Sequence, residues 1–179
     1  MAAAYYFAFV NSSLPIDLIF QRMVASGESF TLLAVPFFVA AGTVMNYSGI
    51  ADKLLLMADV IAGHMRGGLT QVNVVLSELM AGVSGSANAD AALQSKILVP
   101  QMVKRGYTPG FSCGITAASA CISPIIPPGI GLILYAFMAN VSVGKMFFAG
   151  YLPGLVITFV LMIAVFIISV RHDYGRSRE

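Results

Sequence analysis

Charged residues are scarce in this chain of 179 amino acids, and their scarcity argues against a soluble fold. Asp, Glu, Lys and Arg make up 10% of the sequence, whereas a soluble domain carries about 25%. Apolar residues make up 58%, the mean hydropathy is +0.86, and the apolar residues form long blocks. The net charge of +2 is too small to indicate a nucleic-acid partner. The composition predicts an all-α polytopic membrane protein with about six apolar segments.

Cysteine and histidine are also rare. Cys113 and Cys121 lie in one apolar block, about 12 Å apart along a helix, which is beyond disulfide reach. The sequence therefore offers no disulfide scaffold. The two histidines are His64, in a predicted loop, and His172, beyond the last apolar segment. Residues 1–10 lack a basic region and a clear cleavage site, so we interpret them as the end of a truncated first helix rather than a signal peptide.

Glycine and proline divide the apolar sequence into helices, and the basic residues suggest an orientation. The predicted helices are Phe30–Tyr47, Ile50–Ala62, 69–81, 87–103, 111–122, 130–139 and 146–170. If Arg22 is cytoplasmic, the first two helices cross outward and return, and the last one also returns to the cytoplasm. The basic residues then concentrate on one side, as the positive-inside rule expects: Arg22, Arg66, Lys104, Arg105, Arg171, Arg176 and Arg178.

Two interruptions of helices are predicted to lie within the membrane. The arm 69–81 would be about 20 Å long, too short for a hydrocarbon core of about 30 Å, and the sequence that follows it, 82–90, is polar. Residues 69–103 are therefore predicted to form a re-entrant helical hairpin. The second interruption is Ser123-Pro-Ile-Ile-Pro-Pro-Gly129, whose three prolines make 110–140 a proline-broken helix.

Together the interruptions predict a binding site. Broken helices leave unpaired carbonyl groups at one end and unpaired N–H groups at the other. Carbonyls, hydroxyls and the Asp90 carboxylate suit a small hard cation, while N–H groups suit an anionic substrate. Simpler interpretations stay open: Asp90 complements a helix dipole, Ser84 and Ser86 cap the second arm or permit close packing, and the prolines form an ordinary kink. Glu78 and Lys96 are interpreted as a hairpin ion pair or as snorkelling groups.

A rival function comes from Gly82-Val-Ser-Gly85, which matches the G-x-S-G motif of rhomboid-type intramembrane serine proteases with Ser84 as nucleophile. Such a nucleophile requires a base within hydrogen-bond reach. Neither His64 nor His172 is predicted at membrane depth. We therefore do not expect an enzyme.

Six motifs between residues 14 and 171 resemble, in order and spacing, the large membrane subunit of tripartite ATP-independent periplasmic (TRAP) transporters. Each motif alone is weak, but the ordered set is specific. The motifs are Leu33-Ala-Val-Pro-Phe-Phe38 with Ala41-Gly-Thr-Val-Met45, Arg66-Gly-Gly-Leu69, Gly82-Val-Ser-Gly-Ser-Ala-Asn-Ala-Asp90, Gly106-Tyr107, Pro124-Ile-Ile-Pro-Pro128 and Ala149-Gly-Tyr-Leu-Pro-Gly154.

The resemblance implies one half of an inverted-repeat elevator transporter in the bacterial inner membrane. Its implied activity is sodium-coupled symport of small organic acids, such as C4-dicarboxylates or sialic acid-like carboxylates. Its implied partners are a small membrane (Q) subunit and a periplasmic substrate-binding protein. The chain divides accordingly into scaffold helices (1–66), half of a transport domain (67–145), and a transmembrane helix with a cytoplasmic tail (146–179). The family's second, inverted half is missing, so we interpret the chain as a fragment or a truncated gene product.

The resemblance also implies site residues. The sodium ligands would be Ser84 and Asp90 together with the carbonyl groups of Ser123, Ile126 and Pro128. The substrate would contact Ser86, Asn88 and Pro127. The family usually has glycine in place of Ser123 and serine in place of Gly129. Because only a carbonyl is implied at Ser123, replacing it by glycine is expected to be nearly silent.

Overall fold

The structure is a computed structural model that describes residues 17–28, 30–172 and 174. All regular secondary structure in these ranges is helical, which confirms the predicted all-α class. Residues 1–10 and most of the polar tail lie outside the described residues. The helices are α1 (Asp17–Gly27), α2 (Phe30–Tyr47), α3 (Ile50–Ala62), α4 (Gly68–Ser84), α5 (Ala87–Lys104), α6 (Pro109–Ala120), α7 (Ile130–Met138) and α8 (Val143–Arg171).

Local sequence determines where these helices begin and end. Gly67 and Gly85 flank α4 with φ angles of 81° and 54°, a left-handed conformation that glycine adopts without strain. Thr108 caps α6 by accepting a 3.4 Å hydrogen bond from the backbone N–H of Phe111. Pro109 occupies the first turn of α6, where its missing N–H costs nothing.

Helices α4 and α5 form an antiparallel pair. Only Gly85 and Ser86 separate them, and Gln94 Nε2 lies 2.9 Å from the hydroxyl of Ser77 on the facing helix. Ser77 and Gln94 lie the same number of residues from the turn, as an antiparallel hairpin requires. The two helical arms predicted over 69–81 and 87–103 are therefore present, and α4 extends to Ser84.

Helices α2 and α3 have the predicted bounds, and the chain bends by 74° between the segments Leu32–Met45 and Ile50–Ala62. The return crossing of Ile50–Ala62 stays a prediction. Among the described helices, Val143–Arg171 alone is long and apolar enough to cross a membrane unaided, and the bent pair passes that test only as one span.

Helix α4 lies at the centre of the fold and is buried along most of its length. It contacts α2, α3, α5, α6 and α8. Its apolar side chains Val72, Leu76 and Met80 pack into one core with Leu98 and Met102 of α5. The element that carries the hairpin tip is therefore the most enclosed of the described helices.

Helix α8 packs on α4 and on the proline-rich segment through small residues. Its buried residues are Gly150, Gly154, Thr158, Val165 and Ser169, while most of its remaining surface is exposed and apolar. A Cβ atom at Gly150 would lie 2.6 Å from the carbonyl oxygen of Ile125. Glycine therefore permits the close approach of α8 to the broken helix.

We expect Gly150→Ala to destabilise the protein by about 1–3 kcal/mol, because the added methyl group overlaps a backbone carbonyl that cannot rotate away. Gly114→Ala in α6 is the matched control, since a Cβ atom there meets no atom within 4 Å. Replacing a helical glycine by alanine in open space stabilises by roughly 0.5–1 kcal/mol. Thermal loss of the helical circular dichroism signal in detergent measures both. Equal midpoints for the two variants would contradict the packing at Gly150.

Candidate functional site

The hairpin tip touches the broken helix, as predicted from the sequence. A Cβ atom built on Gly85 would lie 2.7 Å from the carbonyl oxygen of Pro128 and 3.3 Å from the Cα atom of Gly129. Gly85 also adopts a positive φ of 54°. A side chain at this position would be both strained and in collision, so glycine is required for the contact.

The predicted break in the second helix is present. Helix α6 ends at Ala120 and α7 begins at Ile130, with turns between them. The N–H groups of Ile125 and Ile126 both donate to the carbonyl group of Ile122, at 3.0 and 3.1 Å. The prolines at 124, 127 and 128 have no N–H to offer, so the segment cannot continue the helical hydrogen-bond pattern.

Asp90 lies where the hairpin and the broken helix meet. It is fully buried and is held by two hydroxyl groups. Ser84, at the end of α4, donates to Oδ1 at 2.5 Å, and Ser123, in the broken segment, donates to Oδ2. No ion pair joins Asp90 to a lysine or arginine in the part of the chain that the structure describes. The site is therefore a buried carboxylate whose partners are neutral.

Buried side-chain hydrogen bonds join α4 to α5 and α6, farther from the hairpin tip than Asp90. Asn73 Nδ2 donates to Thr116 Oγ1 at 2.8 Å, and Ser119 donates to Asn73 Oδ1 at 2.7 Å. Ser77 and Gln94 are hydrogen-bonded at 2.9–3.1 Å, depending on which group donates. We call these five residues the polar ladder. All are at most 2% exposed, so they form a polar core between three helices.

Sequence reasoning missed the polar ladder, although a signal was present. Asn73 and Ser77 are polar residues four apart in α4, and such residues share one face. Small and polar residues on one face of a membrane helix commonly face neighbouring helices. Polar residues repeat three or four apart in the facing helices as well, at Ser112, Thr116 and Ser119 of α6 and at Asp90 and Gln94 of α5.

Of the two interpretations of Glu78 and Lys96, the structure does not contain the hairpin ion pair among its described residues, and the snorkelling interpretation stays a prediction. Glu78 instead accepts a hydrogen bond from Thr158 of α8, while the Lys96 side chain is exposed. A comparable contact with α8 lies two turns before Glu78, where Gln71 Nε2 donates to the carbonyl group of Met162 at 3.0 Å. Glu78 points toward α8 because it lies on a different face of α4 from Ser77, which meets α5.

The predicted substrate residues lie around the two helix N-termini. Ser86 occupies the N-cap position of α5 but its side chain makes no capping bond, so the capping interpretation fails for it. Asn88 is exposed in the first turn of α5. Gly129 precedes α7 and likewise provides no side-chain cap. The N-termini of α5 and α7 therefore offer backbone N–H groups that no capping side chain occupies.

Pro127 is buried and borders a groove of about 320 Å³ beside the broken segment. The groove is lined by Pro127, Pro128, Gly144, Phe147, Phe148 and Tyr151. None of these residues is charged, so the groove supplies apolar contacts and no partner for a carboxylate. The polar groups that suit an anion are the helix N-termini.

The groups around Asp90 fit a hard cation. The Asp90 carboxylate and the Ser84 hydroxyl are oxygen ligands of the kind that such ions prefer. The carbonyl group of Pro128 adjoins the hairpin tip, and Ile126 is 5% exposed in the same segment. Within the described ranges no group of three His, Cys, Asp or Glu residues converges, so the site does not match the donor set of zinc or other soft metals.

The geometry does not fit a serine protease. The Ser84 hydroxyl donates to a carboxylate and also accepts from the N–H of Ser86 at 3.3 Å. His64 is exposed in the loop before α4, and His172 is exposed and stacks on Tyr174 with ring centroids 5.5 Å apart. Ser84 therefore has no imidazole base within reach.

Comparison with known proteins identifies relatives along almost the whole chain. A family model described as "Tripartite ATP-independent periplasmic transporter, DctM component" matches residues 1–179. The chain is 38% identical over 177 residues to the sialic acid TRAP transporter permease protein SiaT of Haemophilus influenzae, covering 99% of this chain and 29% of that protein. It is 38% identical over 171 residues to the sialic acid TRAP transporter large permease protein SiaM of Vibrio cholerae, covering 96% and 40%.

A further relative is the C4-dicarboxylate TRAP transporter large permease protein DctM of Pseudomonas aeruginosa, 37% identical over 148 residues, which are 83% of this chain and 35% of that protein. The chain thus spans between 29% and 40% of the length of these three relatives. The family match includes the hairpin tip and the broken helix that surround Asp90. The chain belongs to the DctM component family of tripartite ATP-independent periplasmic transporters.

Proposed function

We propose that this chain forms part of a secondary transporter that carries small organic acids across the bacterial inner membrane by sodium symport. The observation that carries the proposal is Asp90, a buried carboxylate held by two hydroxyl groups with no cationic partner among the described residues. A buried charge is costly unless another group compensates it. A coupling cation would supply that compensation.

Sodium fits the available ligands. Ser84, Asp90 and Ser123 converge from three separate elements, so the cage they form is compact. The carbonyl groups of Ser123, Ile126 and Pro128 would complete the oxygen shell, in the way that unwound backbone coordinates ions in other secondary transporters. Potassium is larger and would fit such a cage less well. When bound, the ion would neutralise the carboxylate and hold the hairpin tip against the broken helix.

The substrate class follows from the relatives and from the helix N-termini. The relatives named above are described as carriers of sialic acid and C4-dicarboxylates, and another relative as a carrier of 2,3-diketo-L-gulonate. All of these are carboxylates. The N-termini of α5 and α7 carry partial positive charge, and Ser86, Asn88 and Pro127 lie beside them. An organic acid would bind here through its carboxylate group.

The proposed carrier works with two partners. A small membrane (Q) subunit would pack against the apolar surface, and a periplasmic binding protein would deliver the substrate. The hairpin 69–103 would be re-entrant, and the unit that holds the ion would move as an elevator with its inverted counterpart. The proposal predicts that transport requires the binding protein, because the matching family is described as a component of a tripartite periplasmic transporter.

A serine protease is the second candidate, and the structure suggests a direct test of it. We expect no labelling of Ser84 by a fluorophosphonate probe, because its hydroxyl is committed to Asp90 and lacks a base. Wild type and Ser84→Ala should give the same background signal on a gel. Labelling of the wild type that disappears in Ser84→Ala would revive the protease function.

The re-entrant hairpin predicts that both its ends lie on the same side of the membrane. Cys113 and Cys121 are exposed and are first replaced by serine. Single cysteines are then placed at the exposed positions His64 and Arg105, and at Val141 as a control for the opposite side. Impermeant maleimide should reach the first two from one face and Val141 from the other. Labelling at positions 64 and 105 from opposite faces would mean an odd number of crossings between them and would exclude the re-entrant hairpin.

The sodium site predicts that Asp90→Asn weakens sodium activation by roughly tenfold or more, since bonds to a charged group contribute about 1.5–3 kcal/mol. The measurement is uptake of labelled sialic acid and of a labelled C4-dicarboxylate into proteoliposomes, as a function of sodium concentration. Asp52→Asn, an exposed carboxylate on α3, is the matched control and should match wild type. An unchanged sodium dependence in Asp90→Asn would leave only the helix-dipole role for this residue.

A further inference from the structure

The hydroxyl group of Ser123 has two acceptors within reach. It donates to Asp90 Oδ2, and its oxygen also lies 3.3 Å from the backbone carbonyl oxygen of Ser77 on α4. A hydroxyl carries one proton and can donate fully to only one acceptor at a time. Ser123 is fully buried, so these protein groups are its available partners. The side chain is therefore placed between a charged and a neutral acceptor.

We propose that the Ser123 hydroxyl is a switch that stabilises the cation-free site. Without a cation it donates to Asp90; when Asp90 takes a cation, the hydroxyl turns to the carbonyl group of Ser77. This inference rests on the proposed sodium site at Asp90 and adds a side-chain role to a residue whose carbonyl alone was expected to bind.

The electrostatics give the direction of the switch. A lone carboxylate attracts the hydroxyl proton strongly, because hydrogen bonds to charged acceptors are about twice as strong as neutral ones. A cation beside the carboxylate repels that proton and takes the place of the hydroxyl at Asp90. Rotation toward Ser77 gives the proton a neutral acceptor.

The surrounding contacts favour rotation of the hydroxyl over movement of its acceptors. The Ser77 side chain is hydrogen-bonded to Gln94, and α4 is enclosed on several sides, so the Ser77 carbonyl is fixed in position. Asp90 is held from the other side by Ser84. In the cation-free form the Ser123–Asp90 bond therefore joins the broken helix to the second arm of the hairpin. The hydroxyl competes with the cation, and its removal should strengthen cation binding.

The test measures the sodium dependence of the thermal unfolding midpoint of the carrier that contains this chain, purified with its membrane partners. In Ser123→Ala we expect a lower midpoint without sodium. We also expect a sodium concentration for half-maximal stabilisation that is roughly 3- to 10-fold below that of wild type, because a competing charge-assisted bond is gone. Ser119→Ala is the matched control: a buried hydroxyl one turn earlier that contacts Asn73 and not Asp90. It should leave the half-maximal concentration unchanged.

Ser123→Cys provides a second variant of similar size with a weak donor, and it should behave like Ser123→Ala. Ser123→Ala should lower the sodium-free midpoint less in an Asp90→Asn protein than in the wild-type protein. The difference between the two decreases measures the coupling between Ser123 and Asp90. A half-maximal sodium concentration in Ser123→Ala and Ser123→Cys that is unchanged or raised would overturn the switch. If instead wild type gains no stability from sodium over potassium, the proposed sodium site itself fails.

Discussion

The structure depends on one constraint, which is the burial of the Asp90 carboxylate. Transferring an unpaired carboxylate out of water costs several kcal/mol, so its surroundings must compensate the charge. The chain does so with hydroxyl groups from two different elements, Ser84 and Ser123. Both hydroxyl groups can reach the carboxylate only if the hairpin tip and the broken helix meet at Asp90. The break in α6–α7 and the turn at Gly85 are thus parts of one arrangement.

Close approach of backbones makes that arrangement possible. Gly85 lies against the carbonyl group of Pro128, and Gly150 lies against that of Ile125. On one side the broken segment meets the hairpin, and on the other it meets α8. Glycine at both contacts removes the side chain that would separate the backbones, and proline prevents the segment from closing into a helix. The carbonyl and N–H groups freed by the break consequently remain beside the site.

The helices and their breaks could largely be predicted from the sequence, because the glycine and proline residues that end helices act locally. Gly49, Gly85 and the three prolines of the broken segment each lie at a break between helices, so the helix bounds were recovered closely. The 74° bend between α2 and α3 was not predicted, because a glycine indicates a break and not its angle. The partner of Glu78 was also missed, since the sequence shows that the arms are neighbours but not which face of α4 meets α8. The Ser123 contact depends on tertiary packing and has no local signal.

The polar ladder is better explained as a device for register than as a source of stability. Hydrogen bonds between membrane helices average only about 0.6 kcal/mol, because alternative arrangements also find partners. Asn73 and Ser77, however, bond to α6 and α5 at fixed positions, so sliding either helix breaks several bonds at once. A slip of one turn moves a residue by about 5.4 Å, far more than the reach of a hydrogen bond. Such a slip would part Ser123 from Asp90 and leave the carboxylate without that partner. The weak hydrogen bonds of the polar ladder therefore fix the helices in the register in which Ser123 reaches the buried Asp90 carboxylate.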